Sequence, residues 1–208
     1  MDGPWRQINV AFPDWQTAER TAVAHVAPLL TAAEDEQLVN AWFFIRKAPC
    51  WRIRYLPRHD TDRAHAHLRH RLDDLARARL IDAVTDVVYE PETHAFGGAD
   101  GMACAHRLFH HDSRHLLAHL ADPGRGGAHR RELSILLCTT MLRAAGLDWY
   151  EQADVWAQVA DHRDAPPPDR RDVLQASMRR QLARWRDGTA TKVVSQISPR
   201  NRRRARSA

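Results

Sequence analysis

The chain opens on a two-residue alternation. Ile8, Val10 and Phe12 are separated by polar or small residues, and Pro13 and Asp14 follow, so residues 5–12 are predicted as a strand with one buried face. Asp14 or Thr17 can cap a helix that turns Ala22, Val23 and Val26 inward. Pro28 predicts its end near Ala27, with a second helical or loop stretch over residues 31–38. Residues 41–47 and 50–56 read as two further strands, and the short link at 47–49 predicts an antiparallel hairpin. Leu68, Leu72, Leu75 and Leu80 mark a charged amphipathic helix over residues 62–82. Val84, Val87, Val88 and Tyr89 then suit a short strand over 84–89.

Pro91 confines the next residues to a loop or a sheet edge, and Gly97-Gly98 permits a turn closed to residues with a Cβ. Beyond it, Met102, Leu108, Phe109, Leu116, Leu117 and Leu120 recur at helical spacing and predict a helix over 99–120. Residues 122–127 are a loop by composition. An apolar helix over 132–145 follows, which Gly146 can close, and another opens within 148–156. Pro166-Pro167-Pro168 is a stiff break before a last helix over about 169–186, with Val173, Leu174, Met178, Leu182 and Trp185 on one face. The sum is an α+β fold, a mainly antiparallel sheet packed with helices in a single domain.

Composition narrows the class without naming a function. The 208 residues are 44% hydrophobic and 27% charged, ordinary for a soluble globular chain, and no apolar run approaches the ~20 residues that span a bilayer. The first residues lack a basic region followed by an apolar core, so no signal peptide is expected. Cys50, Cys104 and Cys138 show no CxxC spacing, which fits reduced thiols in the cytoplasm. Much of the net charge of +5 is local: Arg200, Arg202, Arg203, Arg204 and Arg206 crowd the end and read as a solvated, disordered tail. A contact to RNA phosphates is the alternative use of such a run. No P-loop, GxGxxG or GxSxG is present, which removes the usual sequence grounds for nucleotide-dependent or serine-hydrolase chemistry.

Two constellations carry chemistry. On the strand over 50–56, Trp51, Ile53 and Tyr55 share one face, while Arg52 and Arg54 share the other. Two guanidinium forks side by side make a seat for carboxylate or phosphate, though the same spacing also suits a plain solvent-facing strand. The second constellation is the polar loop with Glu90, Glu92 and His94, set between a strand and a long helix. The histidines at 111, 115 and 119, and the pair His106 and His110, have helical spacing that could hold zinc. Without an HExxH they read as a polar face or a groove lining, and neither a metal nor a cofactor is expected.

The stretch Tyr89, Glu90, Glu92, Phe96, Gly97, Gly98, Met102, Phe109, Asp112 and Ser113, with Trp51-Arg52-Ile53-Arg54 upstream, resembles the elimination-type C-terminal domain of class I lanthipeptide dehydratases. That domain also occurs alone in lanthipeptide and thiopeptide (bacteriocin-type) pathways. The resemblance covers most of residues 5–162 and implies an elimination-type domain over 1–165; the proline break and the arginine run then set off a helical extension over 166–198 and a basic tail over 199–208. The resemblance also implies a lyase acting in the cytoplasm on a ribosomally made precursor peptide. The lyase would expel glutamate from glutamylated Ser or Thr to leave dehydroalanine or dehydrobutyrine. A separate glutamylating dehydratase subunit would be its partner; direct tRNA contact and membrane contact are not expected, and a homodimer stays open. By the same resemblance Arg52 and Arg54 act on the glutamate, while Glu92 and His94 are candidates for orientation or proton transfer. On intrinsic grounds His94 is the better base, because imidazole as a side-chain type exchanges protons most readily near neutral pH. Where family members carry Arg before the loop aromatic, this chain has Ala95, and no histidine follows His162. The related formal cycloaddition that builds a pyridine ring, and a noncatalytic peptide-binding or complex-forming role, are the alternatives.

Overall fold

The computed structural model describes residues 4–122 and 130–186. The chain divides into two compact units, residues 1–126 and 127–208. The first is built from strand β1 (Arg6–Ala11), helix α1 (Ala18–Thr21), a π-helical turn (Ala22–Val26), helix α2 (Ala27–Asp35), strands β2 (Val39–Lys47) and β3 (Cys50–Pro57), helix α3 (Thr61–Arg77), strand β4 (Ala83–Val87) and helix α4 (Ala99–Ala121). The strands lie in the order β2-β3-β1-β4, each antiparallel to its neighbour. This is the split β-α-β-β-α-β arrangement of ferredoxin-like folds, with a long fourth helix added. The fold is α+β with an antiparallel sheet, as the sequence pattern predicts.

Alternation decides which face of the sheet meets which helices. Ile8 and Val10 of β1, Trp42 of β2, and Trp51, Ile53 and Tyr55 of β3 turn to one side. There they close a core with Ala22, Val26, Leu30 and Ala33 of the first helical segment and Ala64, Leu68 and Leu72 of α3. Burying such side chains contributes roughly 1.5–3 kcal/mol each. Arg69 ties α3 to the sheet, since its guanidinium reaches both Asp73 and, at 3.0 Å, Asp86 of β4. Tyr55 adds a polar link at the same interface, with its hydroxyl 2.8 Å from His65 Nδ1.

Pro28 does not stop the first helix. Helix runs without a break from Ala18 to Asp35, and the proline falls in the first turn of α2, directly after the π turn. A proline lacks the N–H of a normal helical ladder and crowds the carbonyl four residues back. The wider π turn, in which the Ala27 N–H reaches the Ala22 carbonyl, relieves that conflict upstream. The helix ends at Gln37, which takes a left-handed φ of 59° so that Leu38 N–H can return to the Ala33 carbonyl.

Strand β2 is an edge strand, and α4 covers its free side with side chains. The Phe44 N–H donates to Ser113 Oγ at 3.2 Å. His110 Nδ1 lies 3.2 Å from the Trp42 N and 3.0 Å from the Trp42 carbonyl oxygen, serving one or the other according to its tautomer. Glu34 of α2 completes the clamp: it accepts from Trp42 Nε1 at 3.1 Å and from Arg114 of α4 at 3.0 Å. Burial holds the His110 pKa below its ordinary value, against the opposing pull of the Trp42 hydrogen bond and Glu34.

The second unit contains α5 (Arg130–Ala144), α6 (Trp149–Asp161) and α7 (Pro168–Arg186). Gly146, at φ 85°, closes α5 as its composition predicts, with the Leu147 N–H returning to the Leu142 carbonyl. A reciprocal capping box starts α6: Asp148 accepts from the Tyr150 and Glu151 N–H groups, and Glu151 accepts from the Asp148 N–H. No side chain of α5 is buried, and Trp149 and Tyr150 are each 79% exposed. The residues of the 122–127 loop beyond Asp122, the end of the predicted helical extension and the basic tail lie outside the described residues.

The edge clamp makes a stability prediction. Ser113→Ala strands the partly buried Phe44 N–H and is expected to cost about 1–3 kcal/mol, read as a lower urea midpoint at unchanged slope.

Candidate functional site

Register, not sequence proximity, assembles the second face of the sheet. Phe43, Arg54, Gln7 and Val87 are cross-strand partners in one row. Ile45, Arg52, Asn9 and Thr85 form the next row. Both arginines therefore stand side by side on β3, each flanked by an amide of β1 and an apolar residue of β2. Arg54 Nε donates to Gln7 Oε1 at 2.8 Å, and Gln7 Nε2 donates to Asn9 Oδ1 at 2.9 Å. Arg52 and Arg54 are half-buried, and Arg52 Nε is buried with no hydrogen-bond partner among the described residues.

Aromatic rings build one wall. The Arg54 guanidinium lies 4.3 Å from the Tyr89 ring centroid and 5.4 Å from that of Phe43, a cation–π geometry. Trp5 packs against His106 with ring centroids 4.3 Å apart, and Phe109 meets Phe43 at 5.3 Å. The Tyr89 hydroxyl is 2.9 Å from His106 Nε2. Burial, helped by the nearby positive charge of Arg54, lowers the His106 pKa to about 4, so the imidazole is neutral at physiological pH. Burial also raises Tyr89, against Arg54. Desolvation lowers the Arg54 pKa, while Tyr89 and Glu92 oppose it. Its guanidinium stays charged all the same, because arginine does not deprotonate in proteins.

The loop between β4 and α4 is held by its own turns. Phe96 N–H returns to the Glu92 carbonyl at 3.2 Å and Gly98 N–H to the Thr93 carbonyl at 2.9 Å. Gly97 and Gly98 have φ of 77° and 99°, the left-handed conformations predicted for the glycine pair. Gly101 in the first turn of α4 is as strictly placed: a Cβ there would lie 1.8 Å from the Phe96 carbonyl oxygen. The loop thus rests directly on the helix.

The four residues singled out from the sequence fare differently. Arg52 and Arg54 lie together. Glu92 is exposed but falls within the electrostatic reach of Arg54 and Tyr89. His94 is exposed in the turn, and no described contact of its side chain brings it to the arginines. Sequence reasoning overlooked Gln7 and Asn9. Their signal was the polar phase of the alternation in β1, which became informative only once pairing set them beside Arg54 and Arg52. His106 and His110, first read as a polar face or groove lining, are instead the buried histidines of α4: one supports Tyr89, the other closes the β2 edge. Among the described residues no group of three His, Cys, Asp or Glu side chains could hold a metal, and no helix is long and apolar enough to cross a membrane. Two surface clefts lie elsewhere, one at Trp15, Glu19, Arg46 and Trp51 and the other along α7.

A split β-α-β-β-α-β sheet with paired guanidiniums on one face, beside an aromatic cluster, defines an α+β domain with a cationic sheet face. The chain belongs to the lantibiotic biosynthesis dehydratase C-terminal family, whose model matches residues 5–208. Among solved structures TsrL is similar, with 21% identity and a TM-score of 0.56, over 93% of this chain and 60% of that one. The tRNA-dependent lantibiotic dehydratase MibB from Microbispora sp. 107891 aligns with 26% identity and a TM-score of 0.49, over 59% of this chain and 12% of that one. This chain therefore spans about an eighth of MibB and three fifths of TsrL. No curated protein matches it.

Two outcomes follow from this geometry. The His106 pKa is depressed on folding, so between about 4 and 6.5 the unfolded chain binds more protons than the folded one. The stabilisation from His106 is complete above about 6.5 and lost as pH falls toward 4. Urea midpoints measured across that window should decline toward acid, and less steeply in His106→Gln. Gly101→Ala should displace the loop, with a stability loss of about 1–3 kcal/mol, and a spectroscopic probe attached at position 94 should report the movement.

Proposed function

We propose that this chain eliminates glutamate from glutamylated Ser or Thr of a ribosomally made precursor peptide, leaving dehydroalanine or dehydrobutyrine. The observation that carries the reading is the pair of half-buried guanidiniums on one face of β3, one with a buried Nε that has no partner among the described residues. Membership of the dehydratase C-terminal family supports it. In the step, a base takes the Cα proton and its electron pair forms the Cα=Cβ bond. The bond from Cβ to the ester oxygen breaks, and glutamate leaves as a carboxylate. Charge develops on the peptide carbonyl and on that departing carboxylate, and fixed cationic donors stabilise both. Arg54, braced by Tyr89, Phe43 and Gln7, is the preorganised donor at the reacting end. Glu92, the loop carboxylate in its field, takes the proton. His94 is the weaker candidate for that role despite its intrinsic basicity, because its side chain has no described tie to the arginines. A separate glutamylating subunit supplies the substrate, and the reaction belongs to the cytoplasm.

A second reading, the formal cycloaddition between two dehydroalanines, is favoured by Ala95, which leaves the loop without a further guanidinium. That reaction depends on positioning more than on strong acid–base groups.

Mass spectrometry of a defined peptide bearing glutamylated Ser, incubated with this protein, separates the two. Dehydrated peptide and free glutamate should accumulate, with rates falling about 10²–10³-fold in Arg54→Ala and a large drop in Glu92→Gln. His94→Ala should fall less. A glutamylated peptide that stays intact even with the glutamylating subunit present would exclude elimination. Ring formation from a bis-dehydroalanine peptide would then establish the second reading.

A further inference from the structure

A guanidinium can only donate hydrogen bonds. Arg54 Nε therefore fixes Gln7 with its oxygen inward, at 2.8 Å. The Gln7 amide nitrogen must then face the other way, and it donates to Asn9 Oδ1 at 2.9 Å. With its oxygen so engaged, Asn9 is left with Nδ2, an amide donor that has no partner among the described residues. The cross-strand partner of Asn9 is Arg52, whose own Nε is buried with no partner among the described residues. A charge on one row of the sheet thus sets the polarity of an amide on the next. The result is two adjacent groups, Asn9 Nδ2 and the Arg52 guanidinium, that offer only donors. Such a pair suits a carboxylate that is bound but does not react.

We propose that Asn9 and Arg52 form the subsite for the side-chain carboxylate of the glutamyl leaving group, with Gln7 as the positioning residue that turns the Asn9 amide outward. The assignment rests on the elimination reading, in which the other carboxyl is esterified to the peptide and departs beside Arg54. The Arg52–Asn9 row carries the specificity: a glutaminyl ester, with a neutral amide at the same place, keeps one acceptor oxygen but loses the charge and sets its NH2 against a site that has only N–H groups.

The test is calorimetric titration of the full chain with L-glutamate and with L-glutamine, alongside the elimination assay. The wild-type protein should bind glutamate about tenfold or more tightly than glutamine, as expected for a charge-assisted carboxylate contact. Asn9→Asp, which replaces the donor with an anion, should bring that ratio to about one or below. Gln7→Glu should lower it as well: a carboxylate still accepts from Arg54 but has no N–H to hold Asn9. Near-UV circular dichroism checks that both variants keep the native fold, and a purely structural role for either residue would not move the ratio. Equal binding of the two amino acids by the wild type, or an unchanged ratio in Asn9→Asp, overturns the subsite. If the ratio responds as expected while the glutamylated peptide stays intact, carboxylate binding at Asn9 and Arg52 stands and the elimination reading fails. If the peptide is dehydrated while Asn9→Asp keeps the wild-type ratio, elimination stands and the subsite fails.

Discussion

An edge strand exposes a row of unpaired backbone groups, and the rest of this site depends on how β2 satisfies its own. Ser113 and His110 of α4 take the Phe44 and Trp42 backbone, and Glu34 binds Trp42 Nε1 and Arg114 from the other side. A helix held by side-chain hydrogen bonds to a specific strand edge cannot slide along it, because a shift of one residue would unpair every one of these groups. That fixed position carries His106 onto Trp5 and Tyr89, and Phe109 onto Phe43. The aromatic wall under Arg54 follows from the clamp on β2.

The site itself is a product of strand register. Side chains on one sheet face repeat every two residues, so a slip of one residue would send Arg52 and Arg54 into the core and bring Trp51 and Ile53 to the surface. The size of the helix-facing core, with Leu68, Leu72, Val26 and Leu30 packed on that face, makes such a slip prohibitive. Preorganisation of the guanidiniums is thus a by-product of hydrophobic burial on the opposite side. The acidic loop is less firmly set, held by its turns and by the close approach of Phe96 to Gly101.

Much of the fold was legible in the chain. The alternation in residues 5–12 and 50–56, the hairpin, the glycine pair and the helix after it all describe local preferences, and local preferences survive into the structure. The proline at 28 was misleading, because a π turn just before it absorbs the conflict that ordinarily ends a helix. The arginine pair was legible because both members lie on one strand, two residues apart. The histidines of α4 were visible as a pattern, yet the pattern could not say which of them would be buried. Helical spacing groups residues on a face without revealing what that face meets.

Sequence alone determined which residues can share a face, which ends can be capped, and that the chain carries a guanidinium pair on one strand face and, separately, an acidic loop closed by a glycine pair. It also marked the chain as a relative of the dehydratase domains. Only the tertiary structure decided that β1 lies between β3 and β4, and so that Gln7 and Asn9 stand against Arg54 and Arg52. It alone buried His106 beneath Trp5 and lowered its pKa to about 4. The physical reason is that strand pairing and desolvation join residues dozens of positions apart, and neither the order of strands in a sheet nor the depth of a side chain is written in any local stretch of the chain.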